Sequence, residues 1–152
     1  MKVEIITTVA ELSEVVRGLR GSGRSIGVVP TMGALHEGHL SLARASLTDN
    51  DETIATIFLN PTQFAPQEDF SRYPTTLDSD VERLAAEGVR YVFAPSREEV
   101  YPKDFSTSVA PPAVGRRLEG EFRPTHFGGV VTVVLKILNM TCADKAYFGQ
   151  KD

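Results

Sequence analysis

Short strand-like runs alternate with helix-patterned segments along this chain of 152 residues, and this alternation limits its fold more than any other feature. Strands are predicted at residues 3–6, 26–29, 53–59, 89–94 and 146–148, because these runs are β-prone and mostly apolar without a helical period. Strands of this kind need helices on both of their faces. The sequence therefore predicts an α/β fold built on a parallel sheet.

Local signals place several boundaries in the first two thirds of the chain. Thr8 and Glu11 have the spacing of a capping box, which predicts a helix start. Pro30 is expected to end the strand at residues 26–29, since proline lacks a backbone N–H. Gly88 follows a helical pattern at residues 76–87 and suits the left-handed position after a helix.

The remaining segments give weaker signals. Residues 63–74 show neither helical nor strand periodicity, which is typical of a long functional loop. Thr107–Val109 is predicted as a short strand. Gly128 and Gly129 are expected to start an apolar helix at residues 130–140.

Composition narrows the class of protein and its setting. A net charge of −4 and a pI near 5.4 argue against a general nucleic-acid binder. The single cysteine, Cys142, cannot form an intrachain disulfide, which favours a reducing compartment. The chain shows neither a secretory leader nor an apolar run long enough to cross a bilayer. A cytoplasmic protein without membrane contact is expected.

The segment PTMGALHEGH at residues 30–39 is the most informative motif. His36 and His39 are three residues apart at a predicted helix start, where the helix dipole and N–H groups favour phosphate. Gly33 and Gly38 would let a ligand approach the backbone closely. A purely structural cap and a zinc site are the alternatives, although the spacing is one residue short of the zinc-protease motif. Phosphate binding is the favoured interpretation.

Polar side chains also follow later strands. Asn60 and Gln63 offer neutral donors and acceptors for a carboxylate or a hydroxyl, although Asn-Pro alone is usually a turn. Arg123 and His126 precede the glycine pair and form a second candidate anion site. The alternative is an exposed arginine and a satisfied, half-buried histidine.

The last residues form the fourth candidate segment. Lys151 follows the final predicted strand and could reach a nucleotide phosphate, while Asp152 could support a ribose or a magnesium ion. A frayed, solvated terminus is the alternative.

Together the stretches PTMGALHEGH, FLNPTQF, RYP, EFRPTHFGGVVTVV and FGQKD resemble the pantothenate synthetase (pantoate–β-alanine ligase) family, which belongs to the HxGH nucleotidyl-transfer superfamily. The resemblance implies a Rossmann-like, HUP-type nucleotide-binding domain. It also implies a ligase that adenylates pantoate with ATP, with Mg²⁺ accompanying the nucleotide, and then joins it to β-alanine. No metal ligand in the protein is assigned.

The resemblance also assigns residues. The catalytic candidates are His36, His39 and Lys151. The ATP-binding candidates are Met32, Gly33, Ala34, Leu35, His36, Glu37, Gly38, His39, Gly149, Gln150, Lys151 and Asp152. The candidates for pantoate and β-alanine are Asn60, Gln63, Tyr73, His126, Val133 and Val134, of which the two valines are otherwise simply helix core.

The family also sets expectations about the whole protein. Residues 1–152 correspond to its N-terminal domain, and its smaller C-terminal domain is absent, so little or no activity is expected from this chain alone. The family commonly dimerises, which makes a homodimer a candidate assembly with Thr107–Val109 as a candidate contact. The rival functions are another HxGH nucleotidyltransferase and a non-catalytic nucleotide-binding module.

Overall fold

A computed structural model describes residues 2–64 and 76–152. Within these ranges the strands form one parallel sheet in the order β1-β4-β3-β2-β5. The strands are β1 (Glu4–Ile6), β2 (Ile26–Thr31), β3 (Glu52–Ile57), β4 (Tyr91–Phe93) and β5 (Lys145–Ala146). The predicted parallel α/β architecture is confirmed.

Helices connect these strands and cover the sheet. In the described ranges they are α1 (Val9–Gly21), α2 (Glu37–Asp49), α3 (Leu77–Glu87), α4 (Arg97–Val100), α5 (Glu119–Phe122) and α6 (His126–Thr141). Short 3₁₀ turns lie at Pro61–Gln63 and Ala113–Arg116. Within the described part of the chain, no helix combines the length and apolar character needed to span a membrane.

Neighbouring residues of the central strands face opposite layers, as the two-residue period of a strand requires. Ile54 belongs to a buried cluster with residues of α1, whereas the next residue, Ala55, packs with Ala43 of α2 and Leu84 of α3. A further cluster joins Val28 of β2 to α6. Both faces of β2 and β3 are therefore covered, which explains their nearly continuous burial.

Two of the local boundary signals are confirmed. Thr8 caps α1, with its hydroxyl accepting the Glu11 N–H while the Glu11 carboxylate accepts the Thr8 N–H. Gly88 ends α3 in the left-handed region at φ 98°. Both signals depend on residues within one turn of each other, so the tertiary structure had little to change.

The expected stop at Pro30 is wrong, because β2 continues through Pro30 to Thr31. Val28 accepts a hydrogen bond from the β5 side of the sheet, and Thr31 accepts one from the β3 side. Pro30 shares the orientation of Val28, but the β5 ladder reaches only Val28, so the missing N–H of Pro30 has no strand opposite it.

Later boundaries also differ from the predictions. Thr107–Val109 forms no strand, and the Val109 N–H is donated to the Thr132 hydroxyl of α6 at 3.0 Å instead of to a strand. Helix α6 begins at His126, so Gly129 lies inside its first turns. The final strand is Lys145–Ala146, slightly earlier than expected.

Candidate active site

A cavity of about 440 Å³ lies at the carboxyl ends of β2 and β3, where ligands of parallel α/β sheets usually bind. It brings together residues from all four candidate segments. The predicted site residues that line it are Met32, His39, Asn60, Gln63, His126, Val133, Val134, Lys151 and Asp152. Tyr73 and most of the loop predicted at residues 63–74 lie outside the described residues, although Gln63 itself ends a 3₁₀ turn.

The two histidines of the first segment are in ring contact at the start of α2. Their ring centroids are 4.1 Å apart with planes inclined by 43°. His36 is the N-cap residue, and its Nδ1 accepts the Gly38 N–H at 3.1 Å. The Nδ1 atom of His39 accepts the His36 N–H at 3.3 Å. The rings thus form a capping box in which imidazole replaces the usual hydroxyl and carboxylate.

This capping arrangement decides which ring atom can serve a ligand. An imidazole nitrogen accepts a hydrogen bond only when it carries no proton, so both neutral rings must carry the proton on Nε2. Each ring therefore keeps one Nε2–H donor that the cap does not use. The structural and phosphate-binding interpretations of the motif are compatible, because they use different atoms of the same rings.

His39 is the half-buried member of the pair. Burial lowers the pKa of His39, and the positive charges of His36 and Lys151 lower it further, while the carboxylates of Asp152 and Asp80 act in the opposite direction. In the free protein His39 is therefore biased toward the neutral form that donates from Nε2.

The backbone of the preceding turn is largely occupied by internal partners. The N–H groups of Gly33, Ala34 and Leu35 are donated to side chains of the protein, and the Leu35 side chain is buried in the core. Direct contact of these three residues with ATP stays a prediction. Glu37 and Gly38 are exposed at the first turn of α2.

Asn60 and Gln63 form a buried amide pair in the wall of the same cavity. Asn60 is only 1% exposed, and its Oδ1 accepts the Thr62 N–H at 3.2 Å and the Tyr101 hydroxyl at 2.9 Å. Its Nδ2 donates to the carbonyl of Gly129 and to Gln63 Oε1, both at 3.1 Å. Every contact agrees with one orientation of the Asn60 amide.

The orientation of Asn60 fixes that of Gln63. Because Gln63 Oε1 accepts from Asn60, its Nε2 faces the cavity, where it lies 2.9 Å from the sulfur of Met32. Sulfur is a weak acceptor that a carboxylate oxygen could readily replace. Gln63 consequently presents a neutral N–H donor to the cavity, as the sequence suggested. Tyr101, the buried partner of Asn60, carried no sequence signal of this role.

The third candidate segment, which contains Arg123 and His126, contacts the backbone of Gln63. Arg123 Nη2 and His126 Nδ1 both contact the Gln63 carbonyl oxygen, at 3.2 Å and 2.9 Å. Gly129 packs so closely on the 3₁₀ turn that a Cβ there would lie 2.5 Å from the Thr62 carbonyl oxygen. Gly129 therefore serves helix packing, and the glycine pair lies inside α6 and does not open it. Val133 is core, and both Val133 and Val134 form the apolar wall of the cavity.

The fourth segment closes the cavity near His39. Asp152 accepts the Gly149 N–H at 3.1 Å, and its other carboxylate oxygen lies 3.1 Å from Lys151 Nζ. The Lys151 side chain is 81% exposed, so its ammonium group is held only by a surface ion pair. Gln150 is exposed. The Lys151 ammonium group could therefore move to an anionic ligand at little cost in free energy.

These features define a class of protein, a Rossmann-like α/β domain whose paired histidines open a helix at the carboxyl edge of the sheet. Within that class, the chain belongs to the pantoate-beta-alanine ligase family, whose model matches residues 4–152.

Individual relatives agree with this assignment. The pantothenate synthetase of Caldicellulosiruptor bescii is 51% identical over 97% of this chain and 52% of its own length. Among solved structures, pantothenate synthetase from Thermus thermophilus is 40% identical with a TM-score of 0.88, covering 97% of this chain and 51% of that one. The chain spans about half the length of the curated relatives it matches.

A third relative was solved with ligands. It is the pantoate-beta-alanine ligase of Francisella tularensis, complexed with "Beta-gamma ATP" and β-alanine. It is 37% identical, has a TM-score of 0.89, and the match covers 96% of this chain and 56% of that chain.

Proposed function

We propose that residues 1–152 are the nucleotide- and pantoate-binding domain of an ATP-dependent ligase that condenses pantoate with β-alanine. The observation that carries this proposal is the convergence of two donor sets on one cavity. His39 and Lys151 form one set, the amide of Gln63 belongs to the other, and all three residues line the cavity. One set suits a polyphosphate and the other suits a carboxylate.

In the first step, an oxygen of the pantoate carboxylate attacks the α-phosphorus of ATP. A P–O bond forms to the acid, the bond to the β-phosphate bridging oxygen breaks, and pyrophosphate leaves with the bonding electrons. Nε2–H donors on His36 and His39 and the ammonium of Lys151 would stabilise the charge that grows on the leaving group. Alignment of the two reactants can contribute about 7–11 kcal/mol to such a step.

The acid would be held at the amide side of the cavity. Gln63 Nε2 would donate to pantoate, with Asn60 fixing the amide. Tyr73 and the half-buried His126 would help to shape the pocket. Val133 and Val134 would contact the methyl groups of pantoate, since they form the apolar wall. In the second step, the β-alanine amine attacks the acyl carbon near Gln63, and AMP leaves.

Magnesium would enter as part of the nucleotide. Within residues 2–64 and 76–152, no group of three or more His, Cys, Asp or Glu side chains is arranged to hold a metal ion. Mg²⁺ commonly binds substrate phosphates with only one or two protein carboxylates and several waters. Asp152, at the cavity wall beside Lys151, is a carboxylate that could approach such a complex.

The wider setting of the protein is part of the same proposal. Residues 1–152 would act as the N-terminal domain, completed by a second half like that of the relatives. We also propose a cytoplasmic location, as expected from the sequence, and a homodimer, as the family resemblance implies.

Pantoate-dependent exchange of labelled pyrophosphate into ATP tests the proposed reaction. It should be measured on this chain and on the same chain joined to the second half of the Caldicellulosiruptor bescii relative. We expect exchange in the joined protein only when pantoate is present, and much slower exchange in the 152-residue chain. Exchange driven by a phosphorylated acceptor would favour a different nucleotidyltransferase, and ATP binding without any exchange would favour a binding module.

A further inference from the structure

The turn that leads into His36 is wrapped around a buried carboxylate. Gly33 and Ala34 are both left-handed, at φ 84° and 51°, which is unusual for alanine. This geometry directs two successive N–H groups to one point. Ala34 donates to Asp80 Oδ2 at 2.9 Å, and Leu35 donates to Asp80 Oδ1 at 2.8 Å. Successive N–H groups arranged in this way form a nest, which normally holds an anion.

Other groups of α3 and its N-cap tighten this contact. The Thr76 hydroxyl accepts the Ala34 N–H at 3.0 Å and donates to Asp80 Oδ2 at 2.8 Å. Arg83 Nη1 donates to the Leu35 carbonyl at 2.6 Å. Asp80 is 2% exposed, and a Cβ added to Gly33 would lie 3.2 Å from its Oδ2. The Asp80 carboxylate therefore occupies the nest and takes the place of an external anion.

We propose that Asp80 is a positioning residue for the paired histidines, holding the turn from α3 so that His39 lines the cavity and His36 stays in ring contact with it. A polyphosphate would then be bound by the ring Nε2–H groups and Lys151, and not by the N–H groups of Ala34 and Leu35. This second statement rests on the proposed ATP-binding function, whereas the positioning role itself does not.

Asp80 also acts on His39 through its charge, which raises the pKa of that ring. The charged or titratable groups that face His39 are His36 at the start of the same helix, Lys151 and Asp152 from the last segment, and Asp80 from α3. Asp80 is the buried carboxylate of this set, so removal of its charge should alter the titration of His39. A residue that merely filled space would not have this effect.

Hydrogen exchange in the unmodified chain gives the first test. The N–H groups of Ala34 and Leu35 should exchange slowly, because Asp80 accepts both. Millimolar ATP should shift the ring ¹⁵N resonances of His36 and His39 while the Ala34 and Leu35 amides stay protected. Rapid exchange of these two amides in the free chain would overturn the positioning role. Large shifts of the same amides, with unchanged rings, would overturn the statement about the polyphosphate.

Asp80→Asn gives the second test, with Asp78→Asn as its matched control on the exposed side of the same helix. Ring ¹⁵N spectra should show both histidines as Nε2–H tautomers in the parent chain and in Asp78→Asn. In Asp80→Asn we expect loss of that uniform pattern, a lower pKa of His39, and ATP binding weakened at least tenfold. Folded Asp80→Asn with parental histidine spectra would refute the role.

A third variant covers the case in which Asp80→Asn does not fold. Thr76→Val keeps the carboxylate but removes the hydroxyl that bridges it to Ala34, so we expect faster exchange at Ala34 and partial loss of the tautomer pattern. Parental exchange and spectra in Thr76→Val would overturn the proposal. The exchange and the spectra of the free chain require no nucleotide, so failure of ATP binding would count against the proposed function and not against the positioning role.

Discussion

The backbone N–H of His36 is donated to Nδ1 of His39 at 3.3 Å, so the second histidine caps the helix on which it lies. This contact orients the His39 ring and leaves its Nε2–H for a ligand. The same side chain thus contributes to folding through one nitrogen and is proposed to contribute to catalysis through the other. Experiments on His39 must separate these two effects.

His39→Ala should lower adenylate formation far more than ATP affinity, because the lost donor acts chiefly on charge that develops in the transition state. Loss of one preorganised donor typically reduces the rate about 10²–10³-fold. Pre-steady-state pyrophosphate release in the joined protein measures this effect, and calorimetry measures the affinity. Thermal unfolding should reveal a separate loss of about 1 kcal/mol from the missing cap. Ser41→Ala, on the exposed part of the same helix, is the control; pyrophosphate release at the parental rate in His39→Ala would contradict the role.

The lowered pKa of His39 predicts a pH-dependent contribution to stability. The ordinary pKa of a histidine side chain is 6.5, and that of His39 in the folded chain is lower. Below pH 6.5, His39 therefore takes up a proton more readily in the unfolded chain than in the folded chain. The contribution of His39 is therefore fully present above pH 6.5 and is lost as the pH falls through the lowered pKa of the folded state. Urea unfolding of the parent and of His39→Ala at about pH 5 and about pH 7.5 tests this. If the parent became more stable relative to His39→Ala as the pH fell, the observed effect would have the wrong sign.

Gly129→Ala should be strongly destabilising, while Gly128→Ala should be tolerated. The added Cβ at Gly129 would meet backbone atoms of Thr62 and Gln63 at 2.5–2.7 Å, so α6 or the 3₁₀ turn must move. At Gly128 the nearest atom is Pro111 Cδ at 4.0 Å, and alanine should add about 0.5–1 kcal/mol through helix propensity. Denaturant unfolding of the two variants measures the contrast. Equal stabilities would show that α6 does not approach the turn this closely.

Asn60→Asp should disrupt the orientation of Gln63. A carboxylate oxygen would replace the Nδ2 donor and face the Gly129 carbonyl and Gln63 Oε1, both of which are acceptors. We expect a loss of about 3 kcal/mol or more in the free energy of unfolding, because buried acceptors lose their donor. Pantoate-dependent exchange should fall even where the variant is folded. Asn139→Asp, at an exposed position of α6, is the control, and parental pantoate dependence in folded Asn60→Asp would contradict the amide arrangement.

Several features of the fold could be predicted from the sequence because their signals are local. The capping box of Thr8 and Glu11 and the left-handed Gly88 each involve residues within one helical turn. The alternation of strands and helices predicted the parallel sheet, and the rule that ligands bind at its carboxyl edge placed the histidine and amide segments together. His39, Gln63, His126 and Lys151 do line one cavity.

Other features depend on partners distant in sequence. Pro30 remains in β2 because β5, which lies far later in the chain, ends before reaching it. The start of α6 and the packing role of Gly129 depend on the turn at Pro61–Gln63.

The sequence by itself determined the order of elements and the chemical groups available at the carboxyl edge. Only the tertiary structure decided that Asp80 fills the N–H nest before His36 and that Tyr101 and Asn60 orient Gln63. The physical reason is that a hydrogen bond assigns a donor to one acceptor, and the acceptors near in space are mostly remote along the chain.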